Sequence, residues 1–271
     1  MTFSLAACDL EAGQWGVAVA SKFPSVGAFC PWARGDVGAV ATQSFVNVMF
    51  GPDGLDRLEA GGTAESVLEA LLAGDEQAEE RQIGIVDSAG GSATFTGSGC
   101  FDWAGGTAGP CYAAQGNVLA GPQVVDALVA SFTSTTGSLA ERLTAALLAA
   151  DRAGGDRRGR QSAAMIVRQA GGGYGGNNDI LLDLRVDDHP DPVPELIRLL
   201  GIHTLLFGKT PAEEFLPLEG DLGDEVRSLV ARSGHASLEE WAGVENFEER
   251  LWPDGSRIDP VVLRVLRESA A

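Results

Sequence analysis

Thr2-Phe-Ser-Leu-Ala-Ala-Cys-Asp-Leu-Glu-Ala-Gly-Gln-Trp-Gly-Val-Ala-Val-Ala-Ser-Lys22 is the stretch on which the fold turns. Residues 3–8 form an apolar run of strand length. Asp9-Leu-Glu-Ala-Gly13 reads as a turn, and residues 15–20 as a returning strand. Two such runs joined by a short polar turn predict an antiparallel hairpin. Thr2 stands at its mouth, directly behind Met1. A methionine followed by a small residue is normally removed. Thr2 would then carry a hydroxyl and a free α-amine, which titrates near ~7.7–8.0 and can act as a general base at neutral pH. A threonine hydroxyl paired with its own amine is a nucleophile–base arrangement for acyl transfer. The competing reading of Thr2 is a β-branched residue that merely opens an edge strand.

Further along, residues 37–45 read as another strand, closed by a turn at Gly51-Pro-Asp-Gly54. The period then changes. Leu55, Leu58, Val67, Leu68, Leu71 and Leu72 recur at helical spacing, with Thr63 and Ser66 marking a helix start. Residues 83–86, 93–96 and 112–118 return to strand. Residues 124–132 and 139–150 read as helices, the second capped by Ser138. Residues 163–168 and 180–186 read as strands across the glycine turn 171–176. Strands in hairpins and helices in blocks predict antiparallel sheets with helix layers, an α+β domain over residues 1–189. Asp187-Asp-His-Pro-Asp-Pro-Val-Pro194 reads as a linker, because its three prolines block regular structure. Beyond it, apolar stripes at Leu196, Leu199 and Leu200, at Leu222, Val226, Leu229 and Val230, and at Val261, Val262, Val265 and Leu266 predict a small all-α domain over residues 190–271.

The chain carries 38 acidic and 19 basic residues, a net charge of -19. Such a field disfavours nucleic acid and anionic lipid as partners. The expected partner is a small-molecule substrate, with self-association into a homo-oligomer left open. The N-terminus has neither a basic segment nor the long apolar core of a secretory signal, and no run reaches the ~18–20 residues that span a bilayer. We therefore expect a cytoplasmic protein. Cys8, Cys30, Cys100 and Cys111 show no metal-binding spacing, so they are expected as free thiols. Asp187, Asp188, His189 and Asp191 match no calcium loop, and no metal is expected.

Several polar groups stand out. Ser21 and Lys22 close the second strand of the hairpin, which brings them beside Thr2. Lys22, one of only two lysines, would hold a Thr2 amine neutral by like-charge repulsion; otherwise it is a solvated surface residue. Gln43 and Asn47 end a strand, where their amides can stabilise an oxyanion or simply finish the strand. Gln115-Gly-Asn117 interrupts a buried strand, so Asn117 is either hydrogen-bonded or functional. Gly154-Gly-Asp-Arg-Arg-Gly-Arg-Gln-Ser162 packs three arginines before a strand. Asp156, Arg158 and Ser162 within it are candidates for binding a carboxylated substrate, or for local salt bridges. The stretch lacks the spacing of a phosphate-binding loop.

Together, residues 2–5, 15–22, 31–34, 115–117, 154–162 and 171–176 resemble an uncharacterised bacterial family of unknown function, assigned to the N-terminal nucleophile (Ntn) hydrolase superfamily. The resemblance covers roughly residues 1–190. It implies a four-layer αββα sandwich and amide hydrolysis by a processed N-terminal residue, with no metal or organic cofactor. Thr2 matches the nucleophile position. Ser21 falls where proteasome-type hairpins carry a supporting acid, with Lys22 beside it. Ser162 falls near a serine that steadies the amine in those enzymes. Leu216-Pro-Leu-Glu-Gly220 and Arg257-Ile-Asp-Pro-Val-Val-Leu263 resemble the peptidoglycan-binding type of domain that often follows this family. The expected activity is cleavage of a small-molecule amide, carboxylated if the arginines face the pocket. The alternative is a non-catalytic binding or scaffold protein on the same fold.

Overall fold

The computed structural model describes residues 2–269. The opening hairpin is β1 (Thr2–Asp9) and β2 (Gln14–Ser21), antiparallel with Phe3 opposite Ala20. Nearly every residue of both strands is buried, which explains why they read as continuous apolar runs and not as alternating ones. There follow β3 (Pro31–Arg34), β4 (Gly38–Ser44), α1 (Phe50–Glu59), α2 (Ala64–Ala73), β5 (Arg81–Asp87), β6 (Ser92–Thr96), β7 (Gly105–Gly109) and β8 (Tyr112–Asn117). Then come α3 (Gln123–Ser134), α4 (Leu139–Arg152), β9 (Ser162–Arg168) and β10 (Ile180–Val186).

These strands make two antiparallel sheets, one ordered β10-β9-β2-β1-β8-β7 and the other β3-β4-β5-β6. Strands β1, β2 and β8 pack against β4, β3 and β5 of the other sheet. The interface is filled by small and β-branched side chains, among them Val17, Val19, Ala39, Ala41 and Ile166. Helices α1 and α2 pack on the β3–β6 sheet, where Leu55, Leu58, Val67 and Leu71 meet Val40, Ile83 and Ile85. Helices α3 and α4 pack on β8 and on β1, β2 and β9 respectively. Gly16 in β2 allows this contact, since a Cβ there would stand 3.1 Å from Leu143 of α4 and 2.7 Å from the Ile166 carbonyl.

Two corrections concern element boundaries. Gly51-Pro-Asp-Gly54, expected as a turn, is the first turn and a half of α1. Pro52 lies where the helix needs no backbone donor, and Asp53 favours the positive helix end. Asp187–Pro194, expected as a linker, already contains the start of α5 (Pro192–Phe207), for the same reason at Pro192 and Pro194. Strands β3 and β7 were not expected as strands. The second is Gly-Gly-Thr-Ala-Gly, which has almost no side chain to show a period.

By contacts the chain divides into two units, Met1–Leu199 and Leu200–Ala271. The second contains the rest of α5, α6 (Gly220–Arg232), α7 (Leu238–Val244) and α8 (Pro260–Ser269), with a two-residue β11–β12 ladder at Leu216–Pro217 and Arg257–Ile258. Its core joins Val226, Leu229 and Val230 of α6 to Trp241, Val262 and Leu266. Among the described residues, no helix is long and apolar enough to cross a membrane.

Candidate active site

Strand register builds a polar row. Thr2 of β1 pairs with Asn117 of β8, and Ser21 of β2 with Ser162 of β9. The Thr2 and Ser21 hydroxyls close the row, 3.1 Å apart. Asn117, Thr2, Ser21 and Ser162 therefore stand on four adjacent strands at one end of the larger sheet, on the face toward the other sheet. All four are nearly fully buried.

Thr2 also lines a pocket of about 190 Å³. Its walls are mostly carbon, from Phe23, Val26, Phe29, Cys30 and Val46, and Thr42, Gln43 and Ser44 form the polar side. Ser162 shapes this pocket indirectly. Its hydroxyl donates to the Phe23 carbonyl at 2.5 Å and accepts from the Val26 N–H at 3.1 Å, pinning the turn that carries both walls. Ser44 holds a left-handed φ of 71° at the end of β4, a conformation that non-glycine residues adopt at a cost. Burial pushes the Cys30 thiol up to about 12, so it is a neutral group that points toward Gln43 Oε1 at 3.7 Å.

Behind the row lies a buried network that joins the two sheets. Gln43 Nε2 donates to the Thr2 carbonyl at 3.3 Å and to Gln82 Oε1 at 2.7 Å. Asn117 Nδ2 donates to the same Gln82 oxygen at 2.8 Å. Ser4 Oγ donates to Gln43 Oε1 at 2.6 Å and accepts from Gln115 Nε2 at 2.7 Å. Gln82 Nε2 completes the set on the Gly116 carbonyl and Thr96. The Gln43 and Asn117 amides, expected as oxyanion donors, are thus engaged in holding the sheets together. Gln43 still touches Thr2 through the Thr2 carbonyl.

The remaining candidates fall around the site. Lys22 is exposed. Its ammonium donates to the Arg160 carbonyl, and its backbone N–H to Asp156 Oδ2 at 2.8 Å. Asp156 is buried and also takes Arg158, whose Nη2 stands 2.9 Å from Oδ2. Arg160 is bound by Asp151 at 2.7 Å and Asp191 at 3.1 Å. Asn47 lies outside the pocket wall, its amide on Asp75 Oδ2 at 3.3 Å. The Arg81 guanidinium beside Asp75 lowers that carboxyl to about 2. Arg81 also donates to the Phe45 carbonyl at 2.6 Å, so this ion pair anchors the loop that carries Val46. A larger cavity of about 580 Å³ includes Ser21, Asp151, Asp156 and Arg160 but not Thr2. We place the site at the smaller pocket, because Thr2 lines it and does not line the larger one.

Sequence reasoning missed the pocket walls Phe23, Phe29, Cys30 and Val46, and missed Ser4 and Gln82. The last two carry the same signal as Gln115 and Asn117, a polar side chain inside an apolar strand. Among the described residues, no group of three or more His, Cys, Asp or Glu side chains is placed to hold a metal ion.

No curated protein matches the chain. Residues 207–266 match the family described as "Putative peptidoglycan binding domain". The fold is similar to the crystal structure of protein SPO2555 from Silicibacter pomeroyi, with a TM-score of 0.68 and 29% identity, over 83% of this chain and 92% of that one. That protein is assigned to the same family whose model matches residues 2–196 here, the stretch holding both sheets and the whole polar row. The chain belongs to this family of unknown function, DUF1028.

Proposed function

We propose that the chain is an Ntn-type amidohydrolase that cleaves a small-molecule amide, with Thr2 as nucleophile once Met1 is removed. The observation that carries this reading is the position of Thr2: first residue of a central strand, hydroxyl 3.1 Å from Ser21, at the wall of a pocket. We read the two facing sheets and their outer helix pairs as the αββα sandwich of that superfamily.

In the proposed reaction the free Thr2 amine takes the proton from Oγ1 as Oγ1 attacks the amide carbon. The tetrahedral intermediate collapses as the amine returns that proton to the leaving nitrogen. Water then attacks the acyl ester, again losing a proton to the amine, and Oγ1 is regenerated as the acid leaves. Ser21 orients Oγ1 through their hydrogen bond. Lys22 is exposed, with its ammonium on the Arg160 carbonyl, so the like-charge role expected for it is not part of this proposal. Arg158 is paired with Asp156, and Arg160 with Asp151 and Asp191; a carboxylate on the substrate draws no support from them.

The test joins mass and turnover. Tag-free protein should have lost Met1 by intact mass and should hydrolyse members of an amide panel. Thr2→Ala should lower kcat by at least ~10³-fold, since removing an activated nucleophile leaves only binding and electrostatic effects, and should leave the circular dichroism unchanged. Undiminished turnover by Thr2→Ala would sink the proposal.

A further inference from the structure

We infer that the pocket beside Thr2 is an acyl pocket for an uncharged, apolar acyl group, of short aliphatic or aryl-alkyl type. The assignment of this group as the acyl part of a substrate rests on the hydrolase reading above; the pocket's chemical preference stands on its lining alone.

Three observations lead there. The first is the wall. Phe23, Val26, Phe29 and Val46 present carbon to the cavity, and no lining side chain carries a charge. Phe23 and Phe29 meet edge to face, with ring centroids 5.8 Å apart, forming a firm side. The second is that the polar atoms of the lining are turned away or paired. The Thr42 hydroxyl donates to the Asn47 carbonyl at 3.1 Å. The Gln43 amide is taken up by Ser4, Gln82 and the Thr2 carbonyl, and the Cys30 thiol stays neutral beside it. Away from the amine that Met1 removal gives Thr2, a carboxylate entering here would lose its water and meet no cationic side chain, which is strongly unfavourable. The net charge of -19 adds to that cost. The third is the rim. Phe23 is 48% exposed, Phe29 38% and Val46 38%. Next to Val46 on the same loop, Phe45 pairs edge to face with Phe101, and these two rings are 52% and 62% exposed. Phe23 and Phe29, partly exposed aromatic side chains on the cavity wall, mark a binding site for apolar groups.

Size narrows the class. An apolar cavity of roughly 150 Å³ takes benzene, so about 190 Å³ suits a six-carbon chain or a phenyl group with a short link. Acyl transfer also favours the acyl side over the leaving group. The acyl carbon stays bonded to Thr2 Oγ1 through the second step, and a pocket built on Thr2 can hold it throughout, whereas the amine must leave.

The test uses hexanoate and adipate, which differ by one carboxylate at the far end. Binding of each to the full-length protein is read by saturation-transfer NMR, and turnover is read on the matching N-hexanoyl and N-adipoyl p-nitroanilides. We expect hexanoate to bind at least tenfold more tightly than adipate. Val46→Asp puts a charge on a partly exposed loop wall and should fold; it should lower hexanoate affinity at least tenfold, as should Phe29→Ala. In turnover, kcat/KM should rise about fourfold per methylene from acetyl to hexanoyl and then level off. If hexanoate binds as described and no anilide is cleaved, the pocket's preference for an apolar group stands, and the hydrolase reading falls together with the acyl assignment. If adipate binds as well as hexanoate, or if Val46→Asp and Phe29→Ala leave hexanoate binding unchanged, the acyl pocket is overturned whatever the turnover shows.

Discussion

Ser162 stands on β9, two strands from Thr2, yet it shapes the pocket that Thr2 lines. Its Oγ is a two-way clamp, donating to Phe23 O and accepting from Val26 N, and it is fully buried. Ser162→Ala would leave a buried N–H and a carbonyl without that partner, a loss of about 1–3 kcal/mol. The turn would loosen, so KM for an apolar amide should rise more than kcat falls. Urea denaturation with steady-state kinetics checks both. An equal fall in kcat with KM unchanged would mean that Ser162 acts on the chemistry and not on the wall. Each member of the row was visible in the sequence as a single residue, because a short polar side chain in an apolar strand is conspicuous. The row itself was not, because it depends on register across four strands. Lys22 shows the limit from the other side. Being next to Ser21 in sequence suggested closeness to Thr2, yet β2 ends at Ser21, and a residue one step along the chain from a strand side chain starts out toward the other face. The residue beside a site residue is therefore directed away from the site, and Lys22 ends on the surface.

Helix α1 shows why an element can be legible in type and wrong in extent. Two glycines and a proline in Gly51-Pro-Asp-Gly54 signal a turn by every local rule. Tertiary contact overrides that signal. A Cβ on Gly51 would stand 2.2–2.4 Å from the Trp32 ring, so glycine is present to let β3 and α1 meet. The ring cannot step aside freely, because Trp32 Nε1 donates to the Phe29 carbonyl at 3.1 Å. Two effects oppose each other in Gly51→Ala. Helix propensity favours alanine by about 1 kcal/mol, while overpacking costs about 1–3 kcal/mol. The ring contact is far inside van der Waals distance, so we expect net destabilisation, with a lower urea midpoint and an unchanged slope. Because Phe29 is both the acceptor for Trp32 and a wall of the pocket, hexanoate affinity should weaken in the same variant. A stabilised Gly51→Ala would show that Trp32 moves and that β3 is held by something else. The strands fared better than this helix start where their side chains were large. They were lost where they were glycine, as in β7, since a strand without side chains has no pattern to read.

Each unit of the molecule holds a largely buried ion pair, Arg81 with Asp75 in the first and Arg250 with Asp259 in the second. Many ion pairs here lie at the surface, where each contributes little. Arg250 and Asp259 are the more deeply buried of the two buried pairs, at 5% and 1% side-chain exposure with Nη1 and Oδ2 2.7 Å apart. Arg250 also donates to the Leu205 and Thr204 carbonyls at the end of α5. Asp259 accepts from Thr210 and, through Oδ1, from Val261 N at the start of α8. One buried pair thus ties three segments of the Leu200–Ala271 unit across a small core. Removing one partner leaves the other charge buried, a loss of about 3–5 kcal/mol. At roughly 0.05–0.15 kcal/mol per residue, a unit of this length has a stability of roughly 4–11 kcal/mol. Arg250→Met should therefore bring it close to unfolding. The polar row and the sheet core lie wholly in the other unit. Hydrogen exchange read by mass spectrometry should show peptides from residues 208–269 losing protection in Arg250→Met. Peptides from β1, β2, β8 and β9 should keep theirs, and hexanoate should bind as before. Loss of protection across both sets would instead mean that the two units unfold as one, and that the sheets depend on the helical unit for their stability.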